Sequence, residues 1–128
     1  YRLEMGTSLT TKYGSNLYDW WGDRIANQIE KDLRNHNDKF VINLASKEYF
    51  KVVEKHINVK VITPIFQEKK GKNFKTIGIY AKKARGSMTS YILKNKIKDI
   101  ENIKCYSELG YKFNNQCSDD KNFIFQRA

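Results

Sequence analysis

The sequence lacks long hydrophobic runs, and this absence excludes two classes of segment. No stretch of its 128 residues approaches the roughly 20 apolar residues that a membrane-spanning helix needs. The N-terminal residues also lack the charged and apolar regions of a secretory signal peptide. We therefore expect a cytoplasmic protein that makes no contact with a membrane.

Cysteine and histidine are also scarce. Cys105 and Cys117 are the two cysteines, and without an export signal they are predicted to be free thiols. His36 and His56 are the two histidines, and neither has a second ligand at the spacing of a metal site. The sequence also lacks a Gly-x-Ser-x-Gly elbow and a glycine-rich loop ending in Lys-Ser/Thr. We expect neither a metal site nor a cofactor.

Acidic residues are missing from one long segment. Residues 69–98 contain ten Lys or Arg and no Asp or Glu, whereas the rest of the chain has fourteen of each sign. The whole formal charge of +10 therefore lies in this segment. Lysine supplies nineteen of the 24 basic residues, so the total charge is less informative than its concentration in this segment. A localised positive charge produces a field that attracts an anionic partner.

The first half of the chain has patterns typical of helices and a short strand. Asn16 is predicted to cap a helix that runs to about residue 33, because apolar residues recur there every four positions. The apolar run at residues 40–44 predicts a strand. Ser46 then suits the cap of a short helix over residues 47–53.

The second half is predicted to contain two hairpins and a helix. Residues 59–67 and 74–82 should pair antiparallel across a loop at 69–73, with Pro64 at a sheet edge or a bulge. Gly86 should end the second strand and Ser87 should cap the helix that follows. Residues 99–105 suit a further turn or two. A last hairpin is expected from residues 111–113 and 122–125.

These elements predict a mixed α/β (α+β) fold, with a mixed, largely antiparallel sheet and flanking helices. At 128 residues the chain fits one domain. It opens at Tyr1 without an initiator methionine. We interpret it as a fragment of a larger single domain.

The basic segment holds a candidate anion site. Lys82, Lys83 and Arg85 precede Gly86 at the predicted junction of a strand and a helix N-terminus. Cationic side chains, a glycine and free backbone N–H groups together suit a phosphate or a carboxylate. Lys72 and Lys75 lie earlier in the segment and are expected to add to the same site.

Four motifs resemble the YaaA peroxide-stress resistance family, and they occur in the same order. They are YRLEMG at residues 1–6, LYxxWG at 17–22, VINLASxEYF at 41–50 and YAKKARGxM at 80–88. The resemblance extends along nearly the whole chain. It implies that residues 1–128 are the C-terminal portion of a YaaA-like domain whose N-terminal half is missing.

The resemblance also implies a function. Members of the family protect against hydrogen peroxide by limiting the free iron that drives oxidative damage, and they are described as binding DNA through a positively charged cleft. We therefore expect a non-enzymatic protein that binds the DNA phosphate backbone without sequence preference. Tyr80 or Tyr91 would lie beside a base or a sugar.

Two alternatives remain open at this point. The same anion pocket could serve an enzyme that acts on a small phosphate- or carboxylate-bearing substrate, with Asn43, Ser46, Glu48 and Tyr80 as polar partners. Direct iron sequestration has less support, because only scattered carboxylates and the two histidines could bind the metal. Self-association of the fragment is a further expectation.

Overall fold

A computed structural model describes residues 17–128, which form four α-helices and five strands. The elements are α1 (Leu17–His36), β1 (Phe40–Ile42), α2 (Lys47–Glu54), β2 (Lys60–Lys70), β3 (Asn73–Lys75), α3 (Gly78–Lys94), α4 (Ile100–Ile103), β4 (Lys112–Phe113) and β5 (Asn122–Arg127). The predicted mixed α/β class is confirmed. The motif at residues 1–6 and the predicted cap Asn16 lie outside the described residues.

The chain divides into two compact units. The helical unit comprises the described residues 17–41 and Ala45–Lys60, and it contains α1 and α2. The sheet unit comprises Ile42–Leu44 and Val61–Ala128. It contains α3, α4 and most of the sheet.

The predicted first helix is confirmed, and it extends three residues beyond the expected end. It stops at His36 because Asn37 takes a left-handed backbone conformation with φ 56°. The N–H of Asp38 then bonds to the carbonyl of Leu33 at 2.8 Å, which satisfies one of the last free carbonyls of the helix. Asparagine tolerates this conformation better than most residues.

The core of the helical unit lies between α1 and α2. Tyr18 and Ala26 of α1 are buried with Val52 and Val53 of α2. The two helices lie in close contact at Gly22, where an added Cβ would lie 2.2 Å from the carbonyl oxygen of Val52. A glycine is therefore required at this crossing.

The sheet has the strand order β1-β2-β5-β4, and β3 pairs with the other end of β2. The two predicted antiparallel hairpins are confirmed as β2 with β3 and β4 with β5, but β2 pairs with β3 only between residues 68–70 and 73–75 and not over the predicted residues 59–67. The sequence did not predict that β2 and β5 pair in parallel over six residue pairs, from Thr63–Asn122 to Glu68–Arg127. This parallel pair places the last strand of the chain beside its longest strand.

Pro64 lies inside β2, which has β1 on one side and β5 on the other. The register of β2 with β5 continues through Pro64, so the predicted edge position or bulge is wrong. Its backbone nitrogen has no hydrogen to donate, so it needs a flank without a partner. Thr63 donates to Lys121 on the β5 side, whereas the carbonyl of Ile62 accepts from Asn43 on the β1 side. The backbone groups of successive strand residues point to alternate sides, so the nitrogen of Pro64 points to the β1 side. Along β2 it lies past the bond with Asn43 and before the residues that pair with β3, which begin at Glu68.

The predicted strand over residues 74–82 is wrong beyond Lys75. β3 ends there, and α3 begins at Gly78 and continues without interruption through Gly86. Three small or flexible apolar residues of this segment are spaced for one face of a helix and are buried: Ala81, Ala84 and Met88. Burial of that face outweighs the strand preference of the local sequence and the cost of the interior glycine Gly86, about 1 kcal/mol.

Aromatic rings fill the core of the sheet unit. Phe66 of β2 stacks on Phe125 of β5 with ring centroids 5.4 Å apart. Tyr106 and Tyr111 meet the edge of Phe66 at 5.9 and 5.2 Å. Edge-to-face pairs of this kind add about 1 kcal/mol each to the apolar burial. The parallel register of β2 and β5 is thus fixed by a buried ring stack.

Candidate anion-binding surface

The cations of the predicted anion site lie inside α3 and not at its start. Lys82, Lys83 and Arg85 follow the helix N-terminus at Gly78 by one or two turns. Gly86 is in the helix interior, so the predicted junction of strand and helix at this residue is wrong. Backbone N–H groups beyond the first turn already bond within a helix and cannot bind an anion. Any anion binding here must come from side chains.

The helix distributes these side chains over its outward side. Lys82 and Arg85 are three positions apart and therefore face nearly the same way, whereas Lys83 is turned by about 100° from Lys82. Both lysines are exposed and Arg85 is half-buried. None of the three forms an ion pair with a described residue. Their positive charge is uncompensated within residues 17–128.

The two other predicted cations lie on the hairpin that precedes α3. Lys72 is in the two-residue turn after Gly71, and Lys75 ends β3 opposite Glu68. Both side chains are exposed. Gly71 adopts φ 63°, a conformation that glycine supports without strain.

The proposed polar partners are divided between the two units. Asn43 belongs to the sheet unit, where it is buried. Ser46 and Glu48 belong to the helical unit, at the start of α2. The Ser46 hydroxyl makes no cap hydrogen bond, contrary to its predicted role, although the residue does occupy the N-cap position. The enzyme hypothesis that combined these residues stays a prediction.

Ser87 was predicted to cap the helix and instead bonds across the sheet unit. Its hydroxyl donates to Glu108 Oε2 at 3.0 Å and accepts from the Tyr106 hydroxyl at 2.8 Å. Burial raises the pKa of Tyr106, and the hydrogen bond between Tyr106 and Ser87 acts in the opposite direction. This chain of three side chains ties α3 to the segment that precedes β4.

A buried ion pair at the carboxyl ends of β2 and β5 was missed at the sequence level. Glu68 and Arg127 are register partners, and their side chains bond through Oε1 and Nε. A second guanidinium nitrogen of Arg127 donates to the carbonyl of Leu109 at 3.0 Å. The guanidinium carbon also lies 4.6 Å from the ring centre of Tyr111 and 5.2 Å from that of Tyr80. These contacts are typical of a partly buried arginine held by cation–π and charge-assisted bonds.

Tyr80 packs against this arginine in the structure, and its predicted role in binding stays a prediction. It is 45% exposed, and its ring covers one side of Arg127. The β2 sequence does contain a signal that Glu68 needs a partner, because Glu68 lies an even number of positions from the buried residues Ile62 and Phe66. A strand with two-residue periodicity places such a carboxylate on the core side, where it needs a partner.

Tyr111 lies against the same carboxylate. Its hydroxyl and Glu68 Oε2 are both buried, and neither makes a hydrogen bond of normal geometry among the described residues. Burial, followed by the adjacent Glu68, raises the pKa of Tyr111 from 10.0 to about 12. The neutral phenol is thus the favoured form in the folded state.

This shift predicts a loss of stability in alkali that depends on Tyr111. Its folded pKa of about 12 exceeds the unfolded value of 10.0, so its contribution is complete below pH 10 and declines as pH rises through 12. Urea unfolding of the chain and of Tyr111→Phe should give a free-energy difference that is constant up to pH 10. Above pH 10 the difference should move in favour of the variant. A free-energy difference between the two proteins that stayed constant from pH 10 to pH 12 would contradict the raised pKa of Tyr111.

A shallow groove of about 350 Å³ adjoins the ion pair on the β4 side. Its polar lining includes Lys112, Asn114, Gln126 and Arg127. The amides are ordered, since Asn114 donates to Gln126 and Gln126 donates to Gln67, each at 2.9 Å. None of the predicted cations Lys82, Lys83 and Arg85 lines this groove.

Metal-ligand clusters and membrane-spanning helices are both absent from the described residues. Residues 17–128 contain no group of three or more His, Cys, Asp or Glu side chains that could hold a metal ion. No helix in the described part of the chain is both long and apolar enough to span a bilayer. Cys105 and Cys117 are free thiols, as predicted, and both are exposed.

The family model described as peroxide stress protein YaaA matches residues 1–117 of this chain. The chain belongs to the YaaA family. This confirms the resemblance that the four motifs indicated. The matched region includes α3 and its cations, and it ends before β5.

Several YaaA-family relatives are similar along nearly the full chain. A UPF0246 protein of Clostridium perfringens is 48% identical over 128 residues, covering 99% of this chain. A UPF0246 protein of Idiomarina loihiensis is 46% identical over 129 residues, and one of Psychrobacter cryohalolentis is 45% identical over 128. The match covers 50%, 50% and 48% of these three proteins. The chain thus spans about half the length of the curated relatives it matches.

Proposed function

We propose that this chain contributes to protection against peroxide stress by binding DNA phosphates without sequence preference, and that it acts in the cytoplasm. The binding surface consists of Lys72, Lys75, Lys82, Lys83 and Arg85, called the basic surface below. In the whole protein this binding would accompany a limit on the free iron that drives oxidative damage. Membership of a family described by peroxide stress supports the proposed role.

The observation that carries the proposal is the uncompensated charge of the basic surface. Its four lysines are exposed, and its five cations form no ion pair with described residues. They come from a segment with ten cations and no acids. Free, exposed cations release condensed counterions when they neutralise phosphates, which favours binding to any DNA sequence.

The proposal requires a surface and not a cleft. Side chains that radiate from α3 and from a hairpin can contact phosphates of a duplex from outside, because phosphate contacts need charge and reach only. Lysine is suited to such contacts as a point charge on a long stem. Contacts of this kind carry no base information, so discrimination between sequences should be small.

We expect the triple variant Lys82→Ala/Lys83→Ala/Arg85→Ala to bind mixed-sequence duplex DNA at least about tenfold more weakly than the unmodified chain at low salt. Its plot of log affinity against log salt should be shallower by up to about three units, since each lost phosphate contact removes about 0.9. Fluorescence anisotropy at four salt concentrations measures both quantities.

The matched control is Lys31→Ala/Lys39→Ala/Lys47→Ala, which removes the same charge from exposed lysines of the helical unit. This variant should retain most of the salt slope. Equal losses in the two variants would mean that net charge alone attracts the DNA. A flat salt response of the unmodified chain would overturn the proposed DNA binding.

A further inference from the structure

Helix α3 carries apolar residues on two opposite faces. One face is buried through Ala81, Ala84 and Met88. The other consists of Ile79, Gly86 and Leu93, which are seven positions apart and therefore share one side of the helix; we call it the outer face. Ile79 is 75% exposed and Leu93 is 71% exposed. A helix that is apolar on both sides is typical of a buried position.

Gly86 is the second unusual feature of the outer face. A glycine in a helix interior costs about 1 kcal/mol relative to alanine, and here a Cβ would meet nothing within 4 Å. Its backbone φ is not positive, so alanine would fit without strain. No described residue therefore explains why this position lacks a side chain.

Gly22 shows what a helical glycine does elsewhere in this chain. There α2 approaches α1 so closely that an added Cβ would lie 2.2 Å from a backbone oxygen. Gly86 is likewise a helical glycine, but no described atom lies against it, and in α3 it has Ile79 two turns before it and Leu93 two turns after it. The pattern fits a segment that crosses α3 at Gly86 and packs against Ile79 and Leu93.

We infer that the outer face of α3 is the docking surface for the half of the full-length YaaA-family protein that lies outside this chain. The matched relatives are about twice as long, so a comparable length of polypeptide is available to cover it. Lys82 and Lys83 border the outer face on its two sides. The docking segment should therefore present an apolar ridge with uncharged polar edges, which leaves both ammonium groups free to contact phosphates. This interface goes beyond the proposed DNA binding.

Cysteine labelling tests whether the outer face is covered in the longer protein. Ile79→Cys and Leu93→Cys are made in this chain in a Cys105→Ser/Cys117→Ser background, and cysteine is placed at the aligned positions of the Clostridium perfringens relative after its native cysteines are replaced. Alkylation rates are divided by those of the same variant in urea. We expect labelling at both positions to be at least about tenfold slower in the full-length relative than in the 128-residue chain.

Gly86→Leu supplies a second readout that does not depend on thiol chemistry. In the 128-residue chain the melting temperature should stay unchanged or rise, because the new side chain meets no atom. In the full-length relative the aligned substitution should lower the melting temperature by several degrees, because the crossing segment is displaced. A rise of the melting temperature in both proteins would contradict the close approach of another segment at Gly86.

Two outcomes of the labelling would also overturn the inference. Fast labelling at both positions of the full-length relative would show that the outer face stays exposed. Slow labelling in the 128-residue chain, together with a dimer by light scattering, would show that a second copy covers it instead. The docking result and the salt titration are independent, so failure of one leaves the other intact.

Discussion

Gly22→Ala is expected to lower the free energy of unfolding by about 3 kcal/mol or more. The new Cβ would lie 2.2 Å from the carbonyl oxygen of Val52 and 2.9 Å from its carbonyl carbon. Both atoms belong to the backbone of α2, so no side-chain rotation can relieve the overlap. The two helices must separate and lose contact among Tyr18, Ala26 and Val53. Urea unfolding followed by circular dichroism measures the loss.

Gly86→Ala is the matched control, because it makes the same change in a helix interior with no atom in the way. It should raise the unfolding free energy by roughly 0.5–1 kcal/mol through helix propensity. The double variant Gly22→Ala/Val52→Ala tests whether the new Cβ overlaps with the backbone or with the side chain of Val52. Replacing Val52 by alanine shortens its side chain and leaves its backbone carbonyl in place. If Val52→Ala restored the stability, the overlap would lie with the side chain and our explanation would fail.

Arg127→Ala is expected to lower the unfolding free energy by about 3 kcal/mol. Glu68 has a side chain only 9% exposed, so the substitution leaves a buried carboxylate without its counter-charge. It also removes the cation from between Tyr80 and Tyr111 and the bond to Leu109. Chemical unfolding at pH 7 gives the size of the loss.

The double variant Glu68→Gln/Arg127→Met distinguishes the charge from the packing. It removes both charges and keeps similar volumes, so most of the stability lost in Arg127→Ala should return. Glu101→Gln serves as a control for an exposed carboxylate, because the Glu101 side chain of the Glu101–Lys104 pair is 69% exposed. That control should change stability by less than about 0.5 kcal/mol. A loss as small as this in Arg127→Ala would mean that Glu68 does not depend on its partner.

Local patterns predicted the elements whose sequence and environment agree. The four-residue repeat of α1, the apolar run of β1 and the hairpin loop at Gly71 are all read within a few positions of the chain, and each was found near its predicted place. The short helix predicted after Ser46 and the turn predicted within residues 99–105 were also found, as α2 and α4.

Predictions failed where a distant part of the chain decides the structure. The segment FKTIGIYAK is rich in strand formers, yet Ala81 and Ala84 become helical because they pack in the core with Met88. The pairing of β2 with β5 joins residues about sixty positions apart and has no local signature. The Glu68–Arg127 ion pair depends on that register, so it could not be predicted before the pairing was known.

The candidate site shows the same division. The sequence was sufficient to find the uncompensated cations, because charge and composition do not depend on folding. It was not sufficient to predict how Lys82, Lys83 and Arg85 are presented, because that depends on whether residues 78–86 form a strand or a helix. Charge can therefore be assigned from composition, but the direction in which it faces requires the backbone.

The parallel pairing of β2 with β5 has a consequence for biosynthesis. The stacked rings of Phe66 and Phe125 cannot meet until the ribosome has made the last strand, at residues 122–127. Until then, Ile62 and Phe66 have no β5 to cover them and are exposed to non-native association. Contacts of such high sequence separation also slow folding, because the intervening loop must close first. The sheet unit should thus form late, after its synthesis is complete, whereas α1 and α2 can pair while translation continues.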